Sequence, residues 1–146
     1  MKLFWKSISE KLLSNATLVS LCGYTASPFK PTISRASFQT NDYRRGVYYQ
    51  ESPGYPYMVG SDSVELKEWV VEFHIVGPTL EDMSDIATTF EAQFEQSPNS
   101  FSYWNFSNDD IYVQSTSIID VAGGKHDDER NVWHCVYSVK VNWSYC

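Results

Sequence analysis

The chain has 146 residues, of which 42% are hydrophobic and 20% charged, and this composition indicates a single globular domain over 1–146. The 18 acidic and 11 basic side chains give a net charge of −7, which makes nucleic acid and anionic membrane surfaces poor partners. No apolar run is long enough for a signal peptide or a membrane span, and the three cysteines form no CxxC pair, so a reducing cytoplasm is expected.

Two short helices are predicted at the start of the chain. Ser7 and Glu10 have the spacing of a capping box, which predicts a first helix over 7–14. The apolar face of this helix is formed by Phe4, Ile8 and Leu12. Asn15 is the predicted N-cap of a second helix, and Gly23 is predicted to end it.

The next segment contains an interrupted strand. Residues 24–46 are weakly patterned, with some strand character. A strand predicted over 47–50 is broken by Pro53 and Pro56 and resumes at 57–59. Each proline lacks a backbone donor, so the break cannot pair as part of a central strand.

A strand followed by a helix is the clearest pattern in the middle of the chain. Residues 64–76 alternate, and their apolar face is formed by Trp69, Val71, Phe73 and Ile75. Thr79 can cap a helix of about four turns, with Asp82 at its third position. The apolar stripe of this helix is Met83, Ile86, Ala87, Phe90 and Phe94. The helix is expected to cover the apolar face of the sheet, including Trp69, Phe73, Trp133 and Trp143.

The last third of the chain predicts a long antiparallel hairpin. Strands are predicted over 111–121 and 132–145, joined by a polar loop that includes 122–130, "AGGKHDDER". Helices segregated against such an antiparallel sheet predict an α+β domain. Its antiparallel, or mixed, sheet has about four to five strands, a central helix on one face, and a short N-terminal helix pair.

Catalytic patterns are scarce in this sequence. His74 and His134 fall on the polar faces of predicted strands, and His126 lies in an acidic loop whose "KHDDE" run lacks the spacing of a metal site. The sequence therefore favours a protein that is not an enzyme and that uses no metal or cofactor. A carbohydrate-binding module is the alternative. Its aromatic platform would be Tyr48, Tyr49, Tyr55, Tyr57, Tyr103 and Trp104.

The order of elements resembles that of the bacteriophage tail-completion proteins, also called tail terminator or tail-to-head joining proteins. The residues that carry this resemblance are "LLSNATLVSLCG", "VYYQESPGYPYMVGSDS" and "EWVVEFHIVGPTLEDMSDIATTFEAQF". The resemblance implies a virion protein of the tail or neck that is assembled in the host cytoplasm. It implies a homo-oligomeric ring, usually a hexamer, that caps the tail tube, ends its polymerisation and meets the head connector. DNA would pass through the lumen without specific binding.

The resemblance to ring-forming proteins implies contacts between subunits, which we expect around the proline break and in the acidic loop. The opposite signs of the arginines and the acidic loop also suggest that they pair between neighbouring subunits. The expected contact residues are Arg44, Arg45, Tyr48, Tyr49, Glu51, Tyr55, Asp127, Asp128, Glu129 and Arg130.

Overall fold

A computed structural model describes residues 2–26, 29–30, 32–35, 45–52, 58–59, 67–96 and 102–145. Within these residues the chain forms helices α1 (Lys2–Leu13), α2 (Ala16–Cys22) and α3 (Leu80–Glu91). None of the helices in the described part of the chain has both the length and the apolar character needed to cross a membrane.

Ten strands accompany the helices in the described part of the chain. They are β1 (Thr25–Ala26), β2 (Phe29–Lys30), β3 (Ile33–Arg35), β4 (Gly46–Glu51), β5 (Met58–Val59), β6 (Lys67–Gly77), β7 (Glu95–Gln96), β8 (Ser102–Tyr103), β9 (Ile111–Asp127) and β10 (Val132–Tyr145). The main sheet has the order β3-β4-β6-β10-β9, and β5 also pairs with β6. The strands β1 and β2 form one small separate sheet, and β7 and β8 form another.

The main sheet is mixed. Its neighbouring strands are antiparallel, except that β3 runs parallel to β4. This confirms the predicted α+β fold with a mixed sheet, a helix packed on it and an N-terminal helix pair. The two strand segments predicted around the proline break, β4 and β5, both pair with β6. The prolines themselves lie outside the described residues.

Helix α3 packs on the half of the sheet that lies towards the β9–β10 turn. The Thr79 side chain accepts a hydrogen bond from the Asp82 backbone N–H at 3.1 Å, as the sequence predicts. The Phe90 ring lies 4.9 Å from the ring of Phe73 and 5.3 Å from that of Tyr137. The helix has three turns instead of the predicted four, since it ends at Glu91. Phe94, beyond that end, is still buried.

Helix α1 packs on the other half of the same face. Its Phe4 ring lies 4.6 Å from the ring of Trp69 and 4.8 Å from that of Trp143. The prediction that the central helix also covers Trp69 and Trp143 is therefore corrected, because α1 covers this end. The predicted start at Ser7 is also wrong: the helix begins at Lys2, and the buried Ser7 hydroxyl donates to the Leu3 carbonyl at 2.8 Å.

Helix α2 confirms both of its predicted ends. The Asn15 side chain accepts from the Leu18 backbone N–H at 3.1 Å, which satisfies one of the free donors of the first turn. Gly23 ends the helix with a φ of 65°, in the left-handed region that favours glycine.

The β9–β10 hairpin is tighter than the sequence predicts. Residues 122–127, expected in a loop, continue β9, and the turn is confined to 128–131. Asn131 takes a φ of 54° at its end, a conformation that asparagine tolerates better than most residues. The predicted strand over 132–145 is confirmed as β10.

Candidate assembly surface

Strand β9 forms one edge of the main sheet, and only its first part is covered on the outer side. The Ser107 side chain accepts from the Val113 backbone N–H at 2.8 Å, and the Thr116 side chain accepts from the Trp104 backbone N–H at 2.6 Å. From residue 117 onward, no described strand pairs with the outer side of β9. Proteins usually shorten, charge or cover such edges, because an open edge is a template for another strand.

The uncovered part of β9 exposes apolar side chains to solvent. Ile119 is 41% exposed and Val121 is 48% exposed. Leu80, at the start of α3, is 49% exposed and lies close to Gly124 of β9. Exposed aliphatic residues beside an unpaired sheet edge make this edge a candidate contact surface.

Three β-bulges shape this strand. The pairing with β10 shifts near Gln114, near Ile119 and at Gly123–Gly124, and at each place β9 has one residue more than its partner. Bulges bend an edge strand and increase its twist. They leave 120–122 as a short regular segment in the middle of the uncovered edge.

Two glycines form the third bulge, and their backbone angles are ones that other residues also adopt. Neither Gly123 nor Gly124 has a φ in the left-handed range. A Cβ added at Gly123 would meet nothing within 4 Å, and one at Gly124 would meet only the flexible end of Met83 below 3.0 Å. Glycine inside a strand is unfavourable unless it marks a bulge or a place where another backbone comes close.

The turn that joins β9 to β10 is held by its own side chains. The Asp127 carboxylate accepts from the backbone N–H groups of Glu129 and Arg130 at 3.1 and 3.2 Å. His126 Nδ1 lies 2.7 Å from Asp128 Oδ1. This hydrogen bond raises the pKa of His126 above its usual value. The turn at the end of the predicted polar loop is therefore fixed by its own hydrogen bonds, and its exposed residues Asp128 and Glu129 are acidic.

The other predicted contact residues that the structure describes, which belong to β4 or directly precede it, lie apart from the edge of β9. Tyr48 and Tyr49 are 0% and 2% exposed, so they have no surface to offer a partner and leave the proposed contact set. Arg45 donates to the Leu21 carbonyl at 3.2 Å and pairs with Asp82 at 3.4 Å. Glu51 pairs with Arg35.

Two of the predicted contact residues, Arg44 and Tyr55, lie outside the described residues. The aromatic platform of the carbohydrate-binding alternative also loses members, because Tyr48, Tyr49 and Trp104 are buried.

A half-buried polar cluster lies on the sheet face opposite the helices. His74 Nδ1 is 2.8 Å from His134 Nε2, and the two rings are nearly coplanar, at 13°. His74 Nε2 is 3.1 Å from Glu72 Oε1. Burial lowers the pKa of His74, and burial together with the neighbouring His74 lowers the pKa of His134 to about 4.

Sequence reasoning placed these two histidines on polar strand faces but missed their contact. The register of β6 against β10 makes them diagonal neighbours, since His74 is opposite Val136 and His134 opposite Val76. A sequence without a known register cannot reveal this. Among the described residues, no three His, Cys, Asp or Glu side chains are placed to hold a metal ion.

Comparisons with known proteins connect this fold to that of a virion chain. No protein-family model and no curated protein matches the chain. Among solved structures, the fold is similar to that of a chain described as "Virion of native gene transfer agent (GTA) particle", with a TM-score of 0.58 and 7% identity. The match covers 92% of this chain and 89% of that chain. At 7% identity, this match shows a shared fold alone.

Proposed function

We propose that this protein is a structural subunit of a phage-like particle, and that it forms a closed ring at the end of the tail tube. In this role it ends tube polymerisation and joins the tail to the head connector. The observation that carries the proposal is the likeness, over about nine-tenths of both chains, to a chain of a gene transfer agent virion. The protein acts through its surfaces, as a virion component of the tail or neck, and not as an enzyme.

The uncovered edge of β9 supports the assembly part of the proposal. A ring built by one repeated contact needs two different surfaces on each subunit, one for each neighbour. The edge beyond residue 117, with exposed Ile119 and Val121, is suited to be one of them. The partners are further copies of this chain, the tail tube protein and the head connector, and the expected ring is a hexamer.

The polar face of the sheet supports a ring whose lumen lets DNA pass. This face carries Glu68, Glu72, Ser138, Lys140 and Asn142, on the side opposite the helices. Turned inward, it would line the channel with polar groups, while the net charge of −7 repels phosphate. DNA would therefore cross without binding.

Reconstitution on tubes tests the proposed function. The purified protein is mixed with purified tail-tube protein of the same particle, and masses are followed by native mass spectrometry and tube lengths by electron microscopy. The expected result is a ring-sized assembly at tube ends and shorter tubes with rising protein concentration. Tube protein alone is the length control.

The carbohydrate-binding alternative is tested on the same preparation with a panel of immobilised glycans. A protein that stays monomeric, leaves tube length unchanged and binds a glycan would overturn the proposed function in favour of that alternative.

A further inference from the structure

The helix-covered face of the sheet exposes aliphatic side chains at both of its ends. Near the β9–β10 turn, Leu80 of α3 and Val121 of β9 are 49% and 48% exposed. At the other end, Leu3 of α1 is 37% exposed. Single exposed aliphatic residues are common on protein surfaces, so the charges around these two places decide what each of them can contact.

Opposite charges surround the two places. Helix α1, KLFWKSISEKLL, has three lysines and one glutamate, whereas α3, LEDMSDIATTFE, has four acidic side chains and no basic one. The basic patch of α1 consists of the exposed residues Lys2, Leu3 and Lys6. The acidic patch of α3 consists of the exposed residues Leu80, Glu81 and Asp85. Surfaces of opposite charge steer each other into contact.

The two patches have the same layout with opposite signs. Lys2 and Lys6 are four residues apart, as are Glu81 and Asp85, so each pair lies on one side of its helix with a separation of about 6 Å. In each patch one of the charged residues is next to the exposed leucine. A contact between the two leucines therefore brings both lysines within reach of both carboxylates.

The ion pairs already formed within the chain leave both patches available. Lys6 is 3.7 Å from Glu10 on its own helix, but the two side chains are 58% and 56% exposed, and such surface pairs are weak. Asp82 is paired with Arg45, on the side of α3 towards β4, and is not part of the acidic patch.

The two patches cannot meet within one chain. Phe4 of α1 packs on Trp143, whereas Leu80 of α3 lies close to Gly124, at the bulge opposite Cys135. The eight residues of β10 between Cys135 and Trp143 span about 26 Å. The acidic patch therefore needs a second molecule to supply the basic side chains, and another copy of this chain carries them in a matching layout.

We propose that the basic patch of one copy packs against the acidic patch of the next copy, with Leu3 in contact with Leu80. The partner is a second copy of this chain. Because the contact joins two different surfaces, it repeats head to tail and can close into a ring of more than two copies. The inference rests on the proposed ring and identifies the surface on α1 that meets the region of α3 and the β9 edge.

Thiol cross-linking tests the leucine contact. Leu3→Cys and Leu80→Cys are combined in a Cys146→Ser background, in which the remaining native cysteines, Cys22 and Cys135, are buried. The variant is assembled with tail-tube protein and treated with a short bismaleimide, which joins thiols across a helix–helix contact. Denaturing gels then show whether copies are joined covalently.

The matched control replaces Leu3→Cys with Tyr112→Cys. Tyr112 is 56% exposed and is opposite Ser144, so it projects from the other face of the sheet. The expected result is a ladder of covalent oligomers for the 3/80 pair that is about tenfold more abundant than for the 112/80 pair, because packed helices lie only 8–10 Å apart. Both variants are first shown to melt as the wild type does.

Charge reversal tests the same contact without cysteines. Lys2→Glu with Lys6→Glu, and separately Glu81→Lys with Asp85→Lys, should each reduce ring formation on tubes about tenfold, and the four changes together should restore it. Lys2→Arg with Lys6→Arg is the control that keeps the charge. A loss caused only by a weakened start of α3 would not be restored by changes in α1.

The outcomes separate this inference from the proposed function. Wild-type rings on tubes, combined with equal ladders from both cysteine pairs or with no restoration by the four changes, overturn the contact between the two patches and leave the ring intact. A wild-type protein that forms no ring with tube protein overturns the proposed function and this inference with it.

Discussion

At the scale of single residues, His74 and His134 form a close polar contact between β6 and β10. When His74 Nε2 donates to Glu72, its Nδ1 is left to accept from His134 Nε2. If both rings were protonated on both nitrogens, two N–H groups would face each other at 2.8 Å, so the contact disfavours a doubly charged pair. The charged side chains around it are Glu72 on β6, Asp127 and Lys125 on β9, and Arg130 in the turn.

This geometry predicts a loss of stability in mild acid. The pKa of His134 is about 4 in the folded protein, against about 6.5 in an unfolded chain. As pH falls from 6.5 to 4, the unfolded chain therefore binds protons that the folded protein does not, and the free energy of unfolding decreases. Because His134 is partly exposed, the expected loss is on the order of 1–2 kcal/mol.

Urea denaturation of the wild type and of His134→Gln between pH 4 and pH 7 measures this effect. The free energy of unfolding of the variant should decrease less than that of the wild type as pH falls over this range. His126→Gln is the control, because the Asp128 hydrogen bond raises the pKa of that exposed histidine. Protonation of His126 therefore cannot cause the decrease in the free energy of unfolding at low pH. Parallel pH profiles for the wild type and His134→Gln would contradict the prediction.

At the scale of elements, the start of α3 depends on a single cap. The Thr79 hydroxyl is 3.1 Å from the Asp82 backbone N–H, and Glu81 and Asp82 place negative charge in the first turn. Thr79→Ala should lower the free energy of unfolding by about 1 kcal/mol, measured in urea. Thr88→Ala, on the exposed side of the same helix, should change it by less than about 0.5 kcal/mol. Equal losses in both variants would exclude a specific capping effect.

Elements with a strong local signal were predictable from the sequence. Features of this kind depend only on residues that are close together in the chain. They are the caps at Asn15, Gly23 and Thr79 and the alternation through β6 and β10. Ser7 shows where this fails, because its spacing to Glu10 imitates a capping box while its side chain is buried within α1. There it accepts from Asn108, 101 residues away, which no local pattern contains.

The candidate site was less predictable than the fold. The sequence placed a polar loop over 122–130, because Ala-Gly-Gly followed by charged residues is typical of loops. The structure extends β9 through these residues, since β10 pairs with them up to Asp127. The open edge results from strand order, with β9 last in the sheet, and strand order is a property of the whole chain.

At the scale of the whole molecule, charge is divided along the chain. Residues 1–45 carry 7 basic and 2 acidic side chains, whereas 46–146 carry 4 and 16. Two arginines of the first part, Arg35 and Arg45, pair with Glu51 and Asp82 of the second. These ion pairs therefore form within one chain, where they help to hold α2 and β3 against the rest of the fold.

This division leads to a prediction about Arg45, which the sequence alone suggested could pair with the acidic turn of a neighbouring subunit. In the folded chain its guanidinium is 3.4 Å from Asp82 and also donates to the Leu21 carbonyl. A double-mutant cycle of Arg45→Ala and Asp82→Ala should give a coupling of about 0.5–1 kcal/mol in the free energy of unfolding. The matched cycle with Asp128→Ala should be additive within about 0.3 kcal/mol. If Arg45→Glu abolishes ring assembly and Asp128→Arg restores it, Arg45 instead pairs between subunits, and the in-chain pair is secondary.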